Sequence, residues 1–208
     1  MNLDQSIEAG LAAMAIEATA GQRRQLGAHL ELVSKWNRVH NLTAVRETSR
    51  MVVLHVLDSL SLLPHIGEAR SMLDVGSGPG FPGIPVAIMR PALEVTLLDS
   101  SSKKCAFLEQ ARTELGLANV RVACERVEAC KPPSPFDVVV SRAFADLQDF
   151  IAQSAHLLAP GGRMLAMKGV YPFEEIARVP PTHRVAGVIE LEVPMLEAKR
   201  HLVALEAA

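Results

Sequence analysis

A chain of 208 residues with 49% apolar and 21% charged residues has the balance of an ordinary soluble globular protein, long enough to bury a core without disulfides or metals. The formal net charge of −2 does not advertise nucleic-acid binding, yet a local basic strip is enough to contact phosphates. Cys105, Cys124 and Cys130 are odd in number and form no C-x-x-C pair, which argues against a disulfide framework or a zinc site and fits a reducing cytoplasm.

In chain order, Met1-Asn2-Leu3-Asp4-Gln5 lacks a basic stretch followed by an apolar run, so no secretory signal is expected. The sequon Asn41-Leu42-Thr43 is then idle as a glycosylation site. No apolar stretch approaches ~18 clean residues, so no membrane is expected as a partner. Residues 1–66 read as a helical extension. Ile7, Leu11 and Met14 recur at helical spacing, and Thr19 with Gln22 forms a capping box opening a second helix. That helix carries Leu26, Leu30, Val33 and Trp36 on one face. A third, from about Ser49 to Leu63, is apolar nearly all round and is expected to be buried and to stop at Pro64.

From residue 67 to 208, β and α signals alternate. Strands are expected at Met72–Val75, Val95–Leu98, Val120–Ala123, Phe136–Val140 and Arg163–Met167. Helices are expected at Ile84–Met89, at Lys103–Leu115 closed by Gly116, and at Leu147–Leu158 ending at Pro160-Gly161-Gly162. Continuous apolar strands with intervening helices imply an α/β fold with a parallel sheet covered on both faces. Val188–Val193 and His201–Leu205, with a short connection and no clear helix between them, suggest an antiparallel edge hairpin.

The chemistry starts at Asp74-Val75-Gly76-Ser77-Gly78-Pro79-Gly80, a glycine turn between a strand and a helix, where the backbone can approach a ligand closely. Dinucleotide enzymes use such a turn to hold a pyrophosphate on backbone amides. Pro79 and Pro82 forfeit such donors, so a nicotinamide-dependent dehydrogenase is the weaker reading. S-adenosylmethionine has no phosphate and needs only close approach and a few polar contacts. A Rossmann-like methyltransferase is therefore the expectation. Asp99, about 20 residues on, is placed to accept hydrogen bonds from both ribose hydroxyls. Val127 and Glu128 stand where an amide and a carboxylate could meet the adenine edge; a solvated loop charge fits the Glu128 spacing equally well.

At Ser141-Arg142-Ala143-Phe144-Ala145 the Asn/Asp-Pro-Pro-aromatic motif of exocyclic-amine methylation is missing, and no cysteine stands ready as a nucleophile for pyrimidine C5. An acceptor that is already nucleophilic remains, such as guanine N7, which needs no general base. Catalysis is then alignment plus positioned cations, with Arg142 and Lys168 at strand C-terminal ends.

Asn41-Leu42-Thr43, His55-x-x-Asp58-Ser59-Leu60, the string Asp74 to Gly83, Leu98-Asp99-Ser100, Lys103-Lys104, Arg126-Val127-Glu128, Ser141 to Ala145 and Lys168-Gly169 occur in order. Together they closely resemble the bacterial 16S rRNA (guanine-N7) methyltransferase family, RsmG or GidB, over essentially the whole chain. The resemblance implies a mostly parallel seven-stranded sheet with an antiparallel edge. It also implies methyl transfer from S-adenosylmethionine to N7 of one guanine in the decoding region of 16S rRNA. The substrate would be the small ribosomal subunit or an assembly intermediate, and the enzyme a monomer. Gly76, Gly78, Gly80, Phe81, Asp99, Val127, Glu128 and Arg142 are the expected cofactor positions, and Lys103, Arg126, Arg142, Lys168 and Arg200 the basic positions of the cofactor and RNA pocket.

Other features have quieter readings. His55 and Asp58, three apart on a helix, are expected to be a mutually satisfied or capping pair, since two ligands do not make a metal site. Cys105, Trp36 and Phe107 read as core. Arg23-Arg24, Arg38, Arg46 and Arg50 form either an RNA-facing strip with Lys103-Lys104 or a solvated helix face. An RNA-assembly factor with a vestigial cofactor pocket is the non-enzymatic alternative.

Overall fold

The computed structural model describes residues 2–208; Met1, which begins the 1–66 segment, lies outside the described residues. Helix α1 (Leu3–Ala13) is capped reciprocally by Asn2 and Gln5, and α2 (Ala20–His40) by Thr19 and Gln22, as the capping-box signal predicts. Leu26, His29, Leu30, Val33 and Asn37 form the buried face of α2. Next come α3 (Thr48–Met51), a π-helical segment (Val52–Leu57) and α4 (Asp58–Leu60). The expected third helix thus exists but runs in a wider register at its centre. Pro64 does not follow a helix end: it sits in the first turn of a new short helix, α5 (Leu63–Ile66), where its missing N–H is harmless.

The remaining elements are β1 (Ser71–Val75), α6 (Gly83–Met89), β2 (Glu94–Asp99), α7 (Ser102–Glu114), β3 (Val120–Cys124) and β4 (Phe136–Ser141). They continue as α8 (Leu147–Ser154), β5 (Leu158–Lys168), α9 (Phe173–Ala177), β6 (His183–Leu191) and β7 (Arg200–Ala207). The sheet has seven strands in the order β3-β2-β1-β4-β5-β7-β6. The first five are parallel, and β7 runs antiparallel to both β5 and β6. The expected class stands, with three adjustments. Helix α8 ends at Ser154, and Pro160-Gly161-Gly162 lie inside β5, where the pairing with β4 jumps from Phe136–Leu158 to Val138–Arg163. Helix α9 was not anticipated, and β6 begins five residues earlier than the Val188 start expected for it.

Strand residues alternate between two apolar layers. Met72, Leu97, Val138 and Val140 face the cluster that holds Ile7, Leu26 and Leu30 of the N-terminal helices together with Ile84 and Phe107. Leu73, Leu98, Val139 and Met164 face the cluster around Phe150 of α8. The N-terminal helices therefore cover one sheet face and share its core. Among the described residues no helix is long and apolar enough to cross a membrane.

Candidate active site

The chain runs β1, β2, β3 to one side and returns to β4 and β5 on the other, so the carboxyl ends of β1 and β4 form the switch point where α/β sheets bind ligands. A cavity of about 260 Å³ opens there, lined by Val75, Gly76, Leu98, Asp99, Ser100 and Lys104, by Glu125 to Glu128, and by Ala143 and Phe144. Gly76 has φ +73°, and a Cβ on it would stand 2.7 Å from that of Ala143. Only glycine keeps this wall open. Ser141 ties the two strand ends together: its hydroxyl donates to the Val75 carbonyl at 2.8 Å and accepts from Ala143 N at 3.1 Å.

The loop consumes its own donors. Gly76 and Ser77 donate to the Leu98 carbonyl, Gly78 to Asp99 Oδ2 at 3.0 Å, Gly80 and Phe81 to the Ser77 carbonyl, and Gly83 to Asp74 Oδ2. Pro79 and Pro82 have none to give. A pyrophosphate would find no amide there, which removes the dinucleotide reading on geometry. A phosphate-free adenosyl ligand fits, because it asks for space beside Gly76 and an acceptor such as Asp99. Asp99 is buried and also accepts from Ser101 N at 2.9 Å and Lys104 Nζ at 3.3 Å. Asp74 lies fully buried beneath the loop, and burial pushes its carboxyl up to about 7.

The carried-over positions divide. Gly76, Asp99, Arg126, Val127 and Glu128 line the cavity, with Arg126 and Glu128 exposed. Gly78 and Gly80 shape the loop from behind. Phe81 is buried between two imidazoles, 4.7 Å from the His29 ring and 4.6 Å from the His55 ring. Lys103 points to solvent on α7, whereas Lys104, one residue on, reaches Asp99.

A second cavity of about 370 Å³ lies on the other side of the Arg142-Ala143 step, lined by Val45, Leu54, His55, Asp58, Arg142, Met167, Lys168, Gly169, Leu191, Arg200 and His201. Its centre is a charge cluster that spacing could not show. The buried Asp58 accepts from Arg142 Nη1 at 2.9 Å on one oxygen and from Arg200 Nε at 3.0 Å on the other. Arg142 Nη1 also donates to the Leu54 carbonyl, and its guanidinium lies 5.7 Å from the Phe81 ring centre. The pairing expected between His55 and Asp58 is therefore wrong. His55 Nδ1 donates to the Leu54 carbonyl at 3.0 Å, so its Nε2 is the acceptor for Thr43 Oγ1 at 2.9 Å. Burial, reinforced by Arg142, lowers its pKa to about 4. The Asn41-Leu42-Thr43 stretch thus braces a histidine of the site.

Lys168 is spent inside the protein as well. Its ammonium donates to the carbonyls of Phe144 and Ala145, both at 3.0 Å, and pairs with Glu175 at 2.7 Å. Of the anticipated basic strip, Arg23 turns to Asp4, Glu8 and the Ala18 carbonyl, while Arg24, Arg38, Arg46 and Arg50 are exposed. Cys105 and Phe107 are buried, and Trp36 packs edge-on against Phe107, all as core. One further residue of the site carries no sequence signal. His29, fully buried on α2, donates from Nε2 to the Pro79 carbonyl at 2.8 Å and so ties the N-terminal helices to the glycine loop.

The model of the GidB family, rRNA small subunit methyltransferase G, matches residues 22–203. The chain belongs to this family. The ribosomal RNA small subunit methyltransferase G of Laribacter hongkongensis is 56% identical, covering 99% of each chain. That of Neisseria meningitidis serogroup A is 52% identical, again over 99% of each. Among solved structures, the Streptomyces achromogenes O-methyltransferase TomG, in complex with S-adenosylmethionine, aligns over 100% of this chain and 99% of its own with a TM-score of 0.61 and 13% identity, a likeness of fold. Membership in this family makes the chain an rRNA methyltransferase by class.

Proposed function

We propose that this methyltransferase moves a methyl group from S-adenosylmethionine to N7 of a guanine in the decoding region of 16S rRNA. It acts as a cytoplasmic monomer on the small subunit or an assembly intermediate. Gly76 would leave room for S-adenosylmethionine, Asp99 would hold its ribose, and Val127 and Glu128 its adenine; bound there, the cofactor would supply a methyl group on a sulfonium. The guanine enters the cavity of Asp58, Arg142 and Arg200.

The observation that carries this reading is the state of Asp58. Among the described residues it is the one carboxylate lining the acceptor cavity, and two guanidiniums hold it, so it is poorly placed to serve as a base. His55 Nε2 is taken by Thr43. An acceptor that must lose a proton is poorly served here, whereas the N7 lone pair needs only alignment. Arg142 uses only Nη1 among the described residues, so its remaining donors are free to hold guanine O6. Asp58 also offsets cationic charge beside a base that becomes positive on methylation. Lys168 and Arg200 act here as holders of the pocket. Exposed Lys103 and Arg126 are left for RNA phosphate. Residues 1–66 act as a cover on a catalytic unit of residues 67–208, pinning its loop through His29.

One observation favours a second reading: His201, buried in the cavity wall, has no partner for Nδ1 among the described residues. It could take a proton from an exocyclic amine. Labelled S-adenosylmethionine, incubated with the protein and either deproteinised small-subunit rRNA or intact subunits, separates the two. Label recovered in 7-methylguanosine supports the ring-nitrogen acceptor; label in N2-methylguanosine overturns it.

A further inference from the structure

Among the described residues, three of the five exposed large apolar side chains fall within four positions: Val170 at 78%, Tyr171 at 40% and Phe173 at 74% exposure. They follow directly on Lys168 and Gly169, which line the acceptor cavity. The two rings pack on each other with centroids 4.2 Å apart. The Tyr171 ring meets His201, a wall residue of that cavity, edge-on at 5.5 Å and 82°. Pro172, between the rings, is buried, and Ile176 packs on the α8 side of the core. Glu175 is fixed by Lys168 and by the Leu147 amide at 2.9 Å. The segment is anchored while its rings face outward.

We propose that Tyr171 and Phe173 form a stacking platform for an unpaired RNA base next to the methylated guanine. This rests on the rRNA reading above. A guanine drawn into the cavity leaves its neighbours without a stacking partner, and aromatic faces are what proteins offer such bases. Arg200, a wall residue of the same cavity whose Nη2 has no partner among the described residues, suits the backbone that must pass there. A protein partner would need an apolar contact but no ring face, and that difference gives the test.

A short single-stranded RNA carrying 2-aminopurine beside the target guanine reports stacking by quenching of its fluorescence. Wild-type protein is expected to quench it. Phe173→Ala should lose most of the quench and raise the KM for rRNA about tenfold, the scale of one base–aromatic stack. Cofactor affinity and melting temperature should stay unchanged, since the side chain is exposed. Phe173→Trp should restore both readouts and Phe173→Leu neither. Equal quench and KM in Phe173→Ala overturn the platform. So does Phe173→Leu performing as well as Phe173→Trp, which would mark an apolar protein-docking surface. Quenching by a wild-type protein that methylates no rRNA would support the platform and sink the reading beneath it.

Discussion

The two cavities that meet at Arg142 and Ala143 are built by opposite means. The donor cavity is mostly backbone: a glycine wall, a loop whose amides are all engaged, and residues at or within a few positions of the carboxyl ends of β1 to β4. The acceptor cavity is an ion cluster drawn from distant parts of the chain, with Asp58 from the N-terminal helices, Arg142 after β4 and Arg200 on β7. A backbone cradle depends on conformation and tolerates changes elsewhere. A shared-anion cluster fails as a unit when one member is lost.

The sharpest way to break that contrast is Asp58→Ala. Two partly buried guanidiniums lose their common anion, so stability should fall by about 3 kcal/mol in denaturant melts. Methyl transfer should drop more than about a hundredfold, while cofactor affinity measured by calorimetry stays within about threefold of wild type. A large loss of cofactor affinity would mean the cavities are not separable. Asp99→Ala is the mirror experiment. It removes the proposed ribose acceptor and the anchor of the Gly78 amide, and cofactor affinity should fall about ten- to a hundredfold with RNA affinity retained.

Acid should act on the shared floor of both sites. His29 and His55 are held neutral by burial, with pKa values lowered to about 4, while Asp74 is raised to about 7. Between pH 6.5 and 4 the unfolded chain carries two protons on these histidines, and the folded chain carries one on Asp74. The unfolded state therefore binds one proton more, so stability falls with acidification from these three groups with the slope of about one proton. Above pH 6.5 the sign reverses as folded Asp74 gives up its proton. Asp74→Asn should steepen the acid limb to about twice that slope, and His29→Gln should flatten it. The smallest effect is the control: Thr19→Ala removes an N-cap far in sequence from both cavities, costing about 1 kcal/mol and leaving turnover unchanged.

Which parts of this were legible follows from the same contrast. Thr19 with Gln22, the glycine string and Asp99 could be read because their partners lie within a few residues or one β–α–β step. Asp58 was misread because positions three apart on an α-helix are neighbours, so His55 looked like its partner. The π-helical register at Val52–Leu57 and the 84- and 142-residue separations from Arg142 and Arg200 decide otherwise. The Lys103-Lys104 pair was visible, but which member faces Asp99 depends on the phase of α7. Pro160-Gly161-Gly162 carried a helix-stop signal that the irregular start of β5 absorbs. Tyr171 and Phe173 gave no signal, because a five-residue helix has no period to read.

The proposed transfer to a ring nitrogen needs no base in the acceptor pocket. Single-turnover methyl transfer at saturating S-adenosylmethionine, followed from pH 6 to 9 in wild type and in His201→Gln, tests this most directly. A level profile with both proteins transferring at the same rate is the predicted result. A rising limb in wild type that disappears in His201→Gln would contradict it.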